Sequence, residues 1–351
     1  MITIHEIPLP DAPEGLWLEL HRITSVCDAE MIGGNQWWTS PEASLRAAKA
    51  DTENDIRRFL ATVDGVAAGS ASIRSNRVDS PNQAHVYIQV LPEFRGRGIA
   101  QALADHVRSE APDFEVYSGW SLMPPPGEHN RLKPPSGSGA VPSDHPATKL
   151  ALRNGMTLGI VERVSRYDFD APLIDPVVAL KEAQAVAGAD YEVVAWEGVA
   201  DEPMLAGLAK LRELMYSDTP NGDLTVVQSS WDVDRLRRIE EERVLTFRYF
   251  RTAIRHVPSG DIVAVNELMV DRSNPEAFVD QWDTVVARDH RGHRLGMAVK
   301  AANLIQVREA VPTATSIVTW NAEENRHMLA VNEALGFYPI LVEGGFELKR
   351  S

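Results

Sequence analysis

Two stretches of the chain repeat one pattern of apolar and polar positions. The first opens with a β-branched and aromatic run, Ala84-His85-Val86-Tyr87-Ile88-Gln89-Val90, which predicts a strand. A short turn, Leu91-Pro92-Glu93-Phe94, leads to the basic, glycine-rich step Arg95-Gly96-Arg97-Gly98-Ile99-Ala100. A helical pattern follows, with Ile99, Leu103 and Val107 recurring every fourth residue on one face. The second stretch has the same order: the run Asp280-Gln281-Trp282-Asp283-Thr284-Val285-Val286, the turn Ala287-Arg288-Asp289-His290, the step Arg291-Gly292-His293-Arg294-Leu295-Gly296, and a helix marked by Leu295, Val299 and Ala302.

Each copy continues into a second short helix that ends in glycine and a large apolar residue, at residues 147–156 and 328–337. Gly155 and Gly336 stand where a helix C-terminus needs a left-handed residue. A strand over residues 160–167 closes the first copy, Pro172 and Pro176 follow, and a new strand begins at Tyr191-Glu192-Val193-Val194-Ala195-Trp196. The junction is therefore expected within residues 168–190, giving domains 1–172 and 173–351. Residues 122–146, rich in Pro, Gly and Ser, predict a long loop after a strand at 114–117, and a loop of that length in a compact domain is usually functional or mobile.

Composition narrows the choices. A length of 351 residues suits two domains, and 44% hydrophobic with 24% charged residues is ordinary for a globular protein. No apolar run approaches the ~20 residues of a membrane span, and the N-terminal residues lack the basic flank and apolar core of a signal peptide. The single cysteine, Cys27, excludes an internal disulfide and a cysteine-based metal cluster. A cytoplasmic protein with no membrane partner is expected. The net charge of −15 argues against nucleic acid as a partner. It is mildly compatible with a cationic acceptor, and simple solubility is the favoured explanation.

The glycine-rich step has a chemical use. The first backbone N–H groups of a helix lack intrahelical partners, and with the helix dipole they make an anion site. Glycine lets phosphates approach the backbone, and Arg95 and Arg97, or Arg291 and Arg294, would add positive charge. Alone, such a step is equally a plain strand-to-helix turn; two copies in matching context point to a ligand.

This layout resembles the GNAT superfamily of acyl-CoA-dependent N-acetyltransferases, whose signature is Gln/Arg-x-x-Gly-x-Gly/Ala after a central strand. Arg95, Gly98 and Ala100 match it fully; Arg291 and Gly296 match its ends, while Arg294 replaces the middle glycine. The stretch from Trp320-Asn321-Ala322-Glu323-Glu324-Asn325 to Gly336-Phe337 is similar to the family's later helix. The resemblance covers most of both halves and is similar in plan to two-domain members such as mycothiol synthase. It implies an α/β (α+β) fold of two tandem domains, each a mixed, splayed sheet flanked by helices, with the pantetheine arm in the splay. It also implies acetyl-CoA as co-substrate, no metal, and direct attack of an amine acceptor on the thioester, in a monomer or homodimer. The alternative is a catalytically silent acyl-CoA-binding or scaffold protein.

Carried over residue by residue, the resemblance places the co-substrate at Val90 and at Arg95, Gly96, Arg97, Gly98, Ile99 and Ala100 in the first copy. In the second it implies Val285, Val286, Arg291, Gly292, His293, Arg294, Leu295 and Gly296, with Asn321 and Asn325 nearby. Family members often carry a carboxylate on the strand before the loop to take the amine's proton. Asp280 stands there in the second copy and Ala84 in the first, with Asp283 three residues on and on the opposite face of a regular strand. His85, Gln89 and Glu267 are further polar candidates. Where many members have a tyrosine four residues before the helix-ending glycine, this chain has Asn332 and Ala151, neither of which is an acid. The second copy, with Asp280, Asp283 and Asn332, is therefore the expected catalytic one. Acceptor specificity is expected in residues 32–38, with Trp37 and Trp38, and in residues 215–220, with Asp218.

Overall fold

A computed structural model describes residues 1–274 and 276–350. In chain order the elements are β1 (Ile2–Glu6), α1 (Leu16–Ile32), α2 (Pro41–Ala50), β2 (Asn54–Val63), β3 (Val66–Asn76), β4 (Ser80–Val90), α3 (Ile99–Glu110), β5 (Val116–Met123), the short pair β6 (Arg131–Leu132) and β7 (Val141–Pro142), α4 (Pro146–Arg153) and β8 (Thr157–Asp168). They continue as α5 (Pro176–Ala187), β9 (Tyr191–Glu197), α6 (Glu202–Asp218), α7 (Val233–Thr246), β10 (Phe247–His256), β11 (Ile262–Asp271), β12 (Val279–Val286), α8 (Leu295–Ala310), β13 (Ser316–Ala322), α9 (Arg326–Leu335) and β14 (Tyr338–Lys349). The chain is thus a mixed α/β protein, with the expected strand, loop, helix order in both halves.

Compactness divides the chain less simply than a cut at 172/173. One unit comprises Met1–Arg163, Asn221–Val227 and Leu341–Ser351; the other comprises Val164–Pro220 and Gln228–Ile340. The first unit's strands run in the order β1-β2-β3-β4-β5-β14-β8, so its sixth strand comes from the far end of the chain. Val342 to Lys349 pair antiparallel with Met123 to Val116, and Glu347 accepts hydrogen bonds from the N–H and hydroxyl of Thr225. A strand held by hydrogen bonds over its whole length counts with its sheet, whatever its sequence position. The second unit orders its strands β8-β13-β12-β11-β10-β9. The expected junction also holds a helix, α5, whose buried Ala179 and Ala183 lie four residues apart on one face.

The splay is explicit in each unit. β4 and β5 run parallel and pair only at Gln83↔Val116, Ala84↔Tyr117 and His85↔Ser118. β12 and β13 pair only at Val279↔Ile317, Asp280↔Val318 and Gln281↔Thr319. Beyond those pairs the strands part, leaving backbone groups of 86–90 and 119–123, or of 282–286 and 320–322, without each other as partners. In the first unit Ile99, Leu103 and Val107 of α3 sit in a core with Phe59, Ile73 and Tyr117. In the second, Leu304 and Val307 of α8 pack with Phe250, Leu268 and Ile317.

Candidate active site

The two glycine-rich loops have the same backbone. Gly98 caps α3 with φ 82° and Arg294 caps α8 with φ 56°, both left-handed. Glycine is at ease there, whereas a left-handed arginine costs about 1–2 kcal/mol. The first intrahelical acceptors are the carbonyls of Gly98 and Arg294, taken by Ala102 and Ala298. The N–H groups of Ile99, Ala100 and Gln101, and of Leu295, Gly296 and Met297, are therefore open at the helix starts. Gly296 has room for a Cβ, which would meet only the Val286 side chain at 3.7 Å, so Ala100 is an ordinary counterpart.

The loop arginines are committed to bracing. Arg95 donates to the Val90 carbonyl at 3.1 Å and forks onto Glu30 of α1. Arg291 likewise donates to the Val286 carbonyl at 3.2 Å and, through one nitrogen, to Asp218 of α6. Asp218 also takes Arg288, so its charge is answered inside the protein. The Arg97 guanidinium lies 5.3 Å from the Phe94 ring centre, and Arg294 is 4.0 Å from Glu182. The His293 ring lies 5.2 Å from that of Tyr191, whose hydroxyl is 3.1 Å from His290. Among the specificity candidates, Trp38 packs edge-on against His21.

Between β4 and β5 of the first unit the splay opens into a cavity of about 130 Å³. Val86 and Ile88 of β4, Gly119 to Ser121 of β5, Ala104 and Val107 of α3, and Leu150 and Ala151 of α4 line it. Gly119 matters here, because a Cβ would stand 3.3 Å from the Val86 carbonyl. In the second unit larger or polar side chains hold the matching positions. Aligning Arg95 with Arg291 sets Lys300 against Ala104 and Asn303 against Val107. Aligning the helix-ending glycines sets Asn332 against Ala151 and Phe337 against Met156, and the strand registers set Trp320 against Gly119. Lys300 is 1% exposed with no hydrogen-bond partner for Nζ, and burial pushes its ammonium down to about 7. Asn303 donates to Asn266 at 2.8 Å, and Gln281 donates to Thr319 at 2.8 Å. Asn332 donates to Asn321 at 2.6 Å while its own Oδ1 is buried without a partner. Asn325 caps α9 by accepting from the Met328 N–H; in the first unit the cap is His145, and Asp144 instead accepts from the Asn130 side chain.

The opposite face of each sheet differs as strongly. β12 carries a bulge: Asn266 pairs with Thr284 and Leu268 with Gln281, so two residues of β11 span three of β12. The extra residue returns Asp283 to the face of Asp280, contrary to the regular-strand expectation. There Asp283 is ion-paired with buried Arg212, whose other arm is 3.5 Å from Glu267. Glu267 also accepts from Tyr249 and lies 3.7 Å from Arg243; Arg251 pairs with Glu240 beside them. The arginines hold the Glu267 carboxyl below its usual range against the opposing effect of burial. Asp280 lies outside these pairs, and burial, with Asp271 nearby, pushes it up to about 7.

In the first unit the same face is acid-lined, and Asp28, Glu162 and Glu343 have no ion-pair partner among the described residues, while Glu347 pairs with Lys349. Alternation puts His85, Tyr87 and Gln89 on it, away from Val86, Ile88 and Val90. Gln89 donates to Asp28 of α1 and to the Tyr87 hydroxyl, both at 3.1 Å. His85 is 2.5 Å from Ser118 Oγ, and burial lowers the pKa of its imidazole. Glu343, opposite Leu122 of β5, lies across the splay from Tyr87, and Glu162 of β8 is close enough to raise it. Burial pushes Asp28 up to about 6 and Glu162 up to about 7. Burial first, then Glu162, pushes Glu343 up to about 8. Surrounding protein, with Asp28, Glu343 and Cys27, raises the Tyr87 phenol although 47% of the residue is exposed. An accessible group in a dense surround is what the wall of a concavity presents. Sequence reasoning missed Asp28, Glu162 and Glu343, because no local motif marks them.

Comparison with known proteins gives one family match: the model of the acetyltransferase (GNAT) family matches residues 18–122. No curated protein matches the sequence. Among solved structures, a tandem GNAT protein from the clavulanic acid biosynthesis pathway is 22% identical with a TM-score of 0.75, over 99% of this chain and 98% of that one. A GCN5-related N-acetyltransferase from Sphaerobacter thermophilus is 15% identical with a TM-score of 0.62, over 99% and 95%. A putative acetyltransferase from Pyrococcus horikoshii is 10% identical with a TM-score of 0.54, over 100% and 90%.

Proposed function

We propose, from the acetyltransferase (GNAT) family match over residues 18–122 and the tandem GNAT fold, that the chain is an acetyl-CoA-dependent N-acetyltransferase whose chemistry resides in the first unit. The observation that carries this reading is the cavity in the splay of β4 and β5, lined by α3, the helix whose first N–H groups are open after Gly98. A thioester arm fits such a gap, and a pyrophosphate fits those N–H groups.

Within that reading Ile99, Ala100 and Gln101 hold the pyrophosphate, and the freed backbone of 86–90 hydrogen-bonds the pantetheine amides. The acceptor enters from the α1 face. Its amine attacks the thioester carbonyl carbon, the C–S bond breaks, and the thiolate leaves with a proton drawn from water, since Ala151 offers none. The amine's proton passes to Glu343, whose raised pKa suits a base near neutral pH. The second unit serves as the silent partner domain. Asp283 is neutralised by Arg212, and buried Lys300 stands where the first unit has the cavity-lining Ala104, so of the two aspartates expected as base there Asp280 alone is left outside the ion pairs.

Thiol release from acetyl-CoA against a panel of amines tests the reading. Turnover that survives Asp280→Asn and Asp283→Asn but falls about 10²–10⁴-fold in Glu343→Gln is expected. Turnover lost in Asp280→Asn and retained in Glu343→Gln would return the chemistry to the second unit.

A further inference from the structure

The cavity of the first unit lies at the closed end of its splay. Val86 and Gly119, which line it, are the first residues after the last strand pair, His85↔Ser118. Ala104, Val107 and Arg108 line it about one to two turns farther along α3 than the open N–H groups of Ile99, Ala100 and Gln101. A donor held by its pyrophosphate at those N–H groups reaches the closed end with its far end, and the far end of an acyl-CoA is the acyl group.

That end of the splay offers an apolar surface. Val86, Val107, Met156, Phe346 and Leu348 line it, and the polar groups of Tyr117, Arg108 and Asn154 are engaged within the protein. Tyr117 donates its hydroxyl to the Ala111 carbonyl. Arg108 donates to the Asn154 side chain at 3.0 Å and to its carbonyl at 3.2 Å, and Gln101 donates to Asn154 at 3.1 Å. Among the described residues, no lining side chain keeps a buried polar atom without a partner, so the space asks for no hydrogen bond. Nor does the fold force the space to stay open. The second unit sets Lys300, Trp320, Asn332 and Phe337 against Ala104, Gly119, Ala151 and Met156. An apolar void is costly to keep empty, so a ligand that fills it is favoured.

We propose that the first unit takes acyl donors longer than acetyl, with the cavity seating a saturated acyl chain. Its volume of about 130 Å³ is slightly below that of an apolar cavity of roughly 150 Å³ that takes benzene, so about four to six carbons fill it. This rests on the reading of the first unit as the acyl-CoA-binding acyltransferase and extends its activity to butanoyl and hexanoyl transfer. The chemistry is unchanged: the acceptor nitrogen bonds to the thioester carbonyl carbon, the C–S bond breaks, and the thiolate and amine exchange protons with water and Glu343 as before. An acetyl methyl leaves most of the void unfilled, and each further methylene is moved out of water into it.

Calorimetry on the full chain with acetyl-, butanoyl-, hexanoyl- and decanoyl-CoA tests this. Affinity should rise about threefold per methylene from acetyl to hexanoyl and stop rising by decanoyl. Ala104→Leu and Met156→Phe narrow the cavity and should each cancel the hexanoyl advantage. Met156→Ala widens it and should move the optimum to a longer chain, a gain that misfolding does not produce. Equal affinity for acetyl- and hexanoyl-CoA overturns the inference and leaves the acetyltransferase reading standing. So does a hexanoyl advantage that survives both narrowing variants, or an optimum that Met156→Ala leaves in place. Failure of every acyl-CoA to bind would sink the underlying reading instead.

Discussion

The two units share one plan, and they differ in what fills it. Around the first splay the chain keeps side chains small on one face and leaves carboxylates unpaired on the other: Ala104, Gly119 and Ala151 against Asp28, Glu162 and Glu343. Around the second it places Lys300, Trp320 and Asn332 at the matching positions and answers every acid of the Glu267 group with an arginine. Buried ion pairs add little net stability over apolar packing, because desolvation offsets the attraction. They do fix geometry, and a network of them cannot open to admit a substrate without stranding charges. An unpaired acid in a cleft has the opposite character: it destabilises the empty protein and favours a cation that enters. On the proposed reading, one scaffold is turned toward binding in one copy and toward closure in the other.

The sharpest way to break this comparison is the base. In Glu343→Gln, turnover should drop by about 10²–10⁴. In the native chain the rate should rise with pH through about 8 as the Glu162–Glu343 pair gives up its second proton. The variant should lose that step and keep only the gradual rise from the neutral fraction of the acceptor. A pH–rate profile of kcat/KM reads both.

Next in size is the ionic network. Arg212→Met should destabilise the protein by about 3–5 kcal/mol, because Asp283 and Glu267 are left buried without it. Denaturant unfolding measures this, and acetyl-CoA affinity should be untouched. A loss of affinity as large as the loss of stability would place the ligand in the second unit.

Lys300 gives a smaller effect of opposite sign. Its ammonium titrates near 10.5 when unfolded and about 7 when buried, so folding expels a proton between those values. The lysine therefore subtracts most stability below pH 7, and the deficit shrinks as pH rises toward 10.5. Lys300→Met should raise stability by about 1–3 kcal/mol at pH 7 and by less at pH 10. Thermal melts at the two pH values check the sign.

Much of the frame was legible along the chain, for physical reasons. The repeat announced both loops, and α3 and α8 start at Ile99 and Leu295 because the open N–H groups, the left-handed cap and the fourfold apolar spacing all act locally. Gly155 and Gly336 have the positive φ their positions required. The site was less legible. The bulge in β12 that returns Asp283 to the face of Asp280 depends on pairing with β11, not on β12 alone. Glu343 reaches the first unit because residues 342–349 pair with β5, more than two hundred positions earlier. No periodicity reports such a partner. Asp218, in the segment expected to set acceptor specificity, is held by Arg288 and Arg291, some seventy residues on.

The most direct measurement is calorimetric stoichiometry of acetyl-CoA on the native chain and on two matched variants, Gly98→Val and Gly296→Val. A valine at Gly98 is forced into φ 82° and crowds the open N–H groups of α3, whereas Gly296 sits in ordinary helical backbone. The account predicts one acetyl-CoA per chain, unchanged in Gly296→Val and weakened by at least about tenfold in Gly98→Val. Two equivalents on the native chain, or one that disappears with Gly296→Val and persists with Gly98→Val, would contradict it.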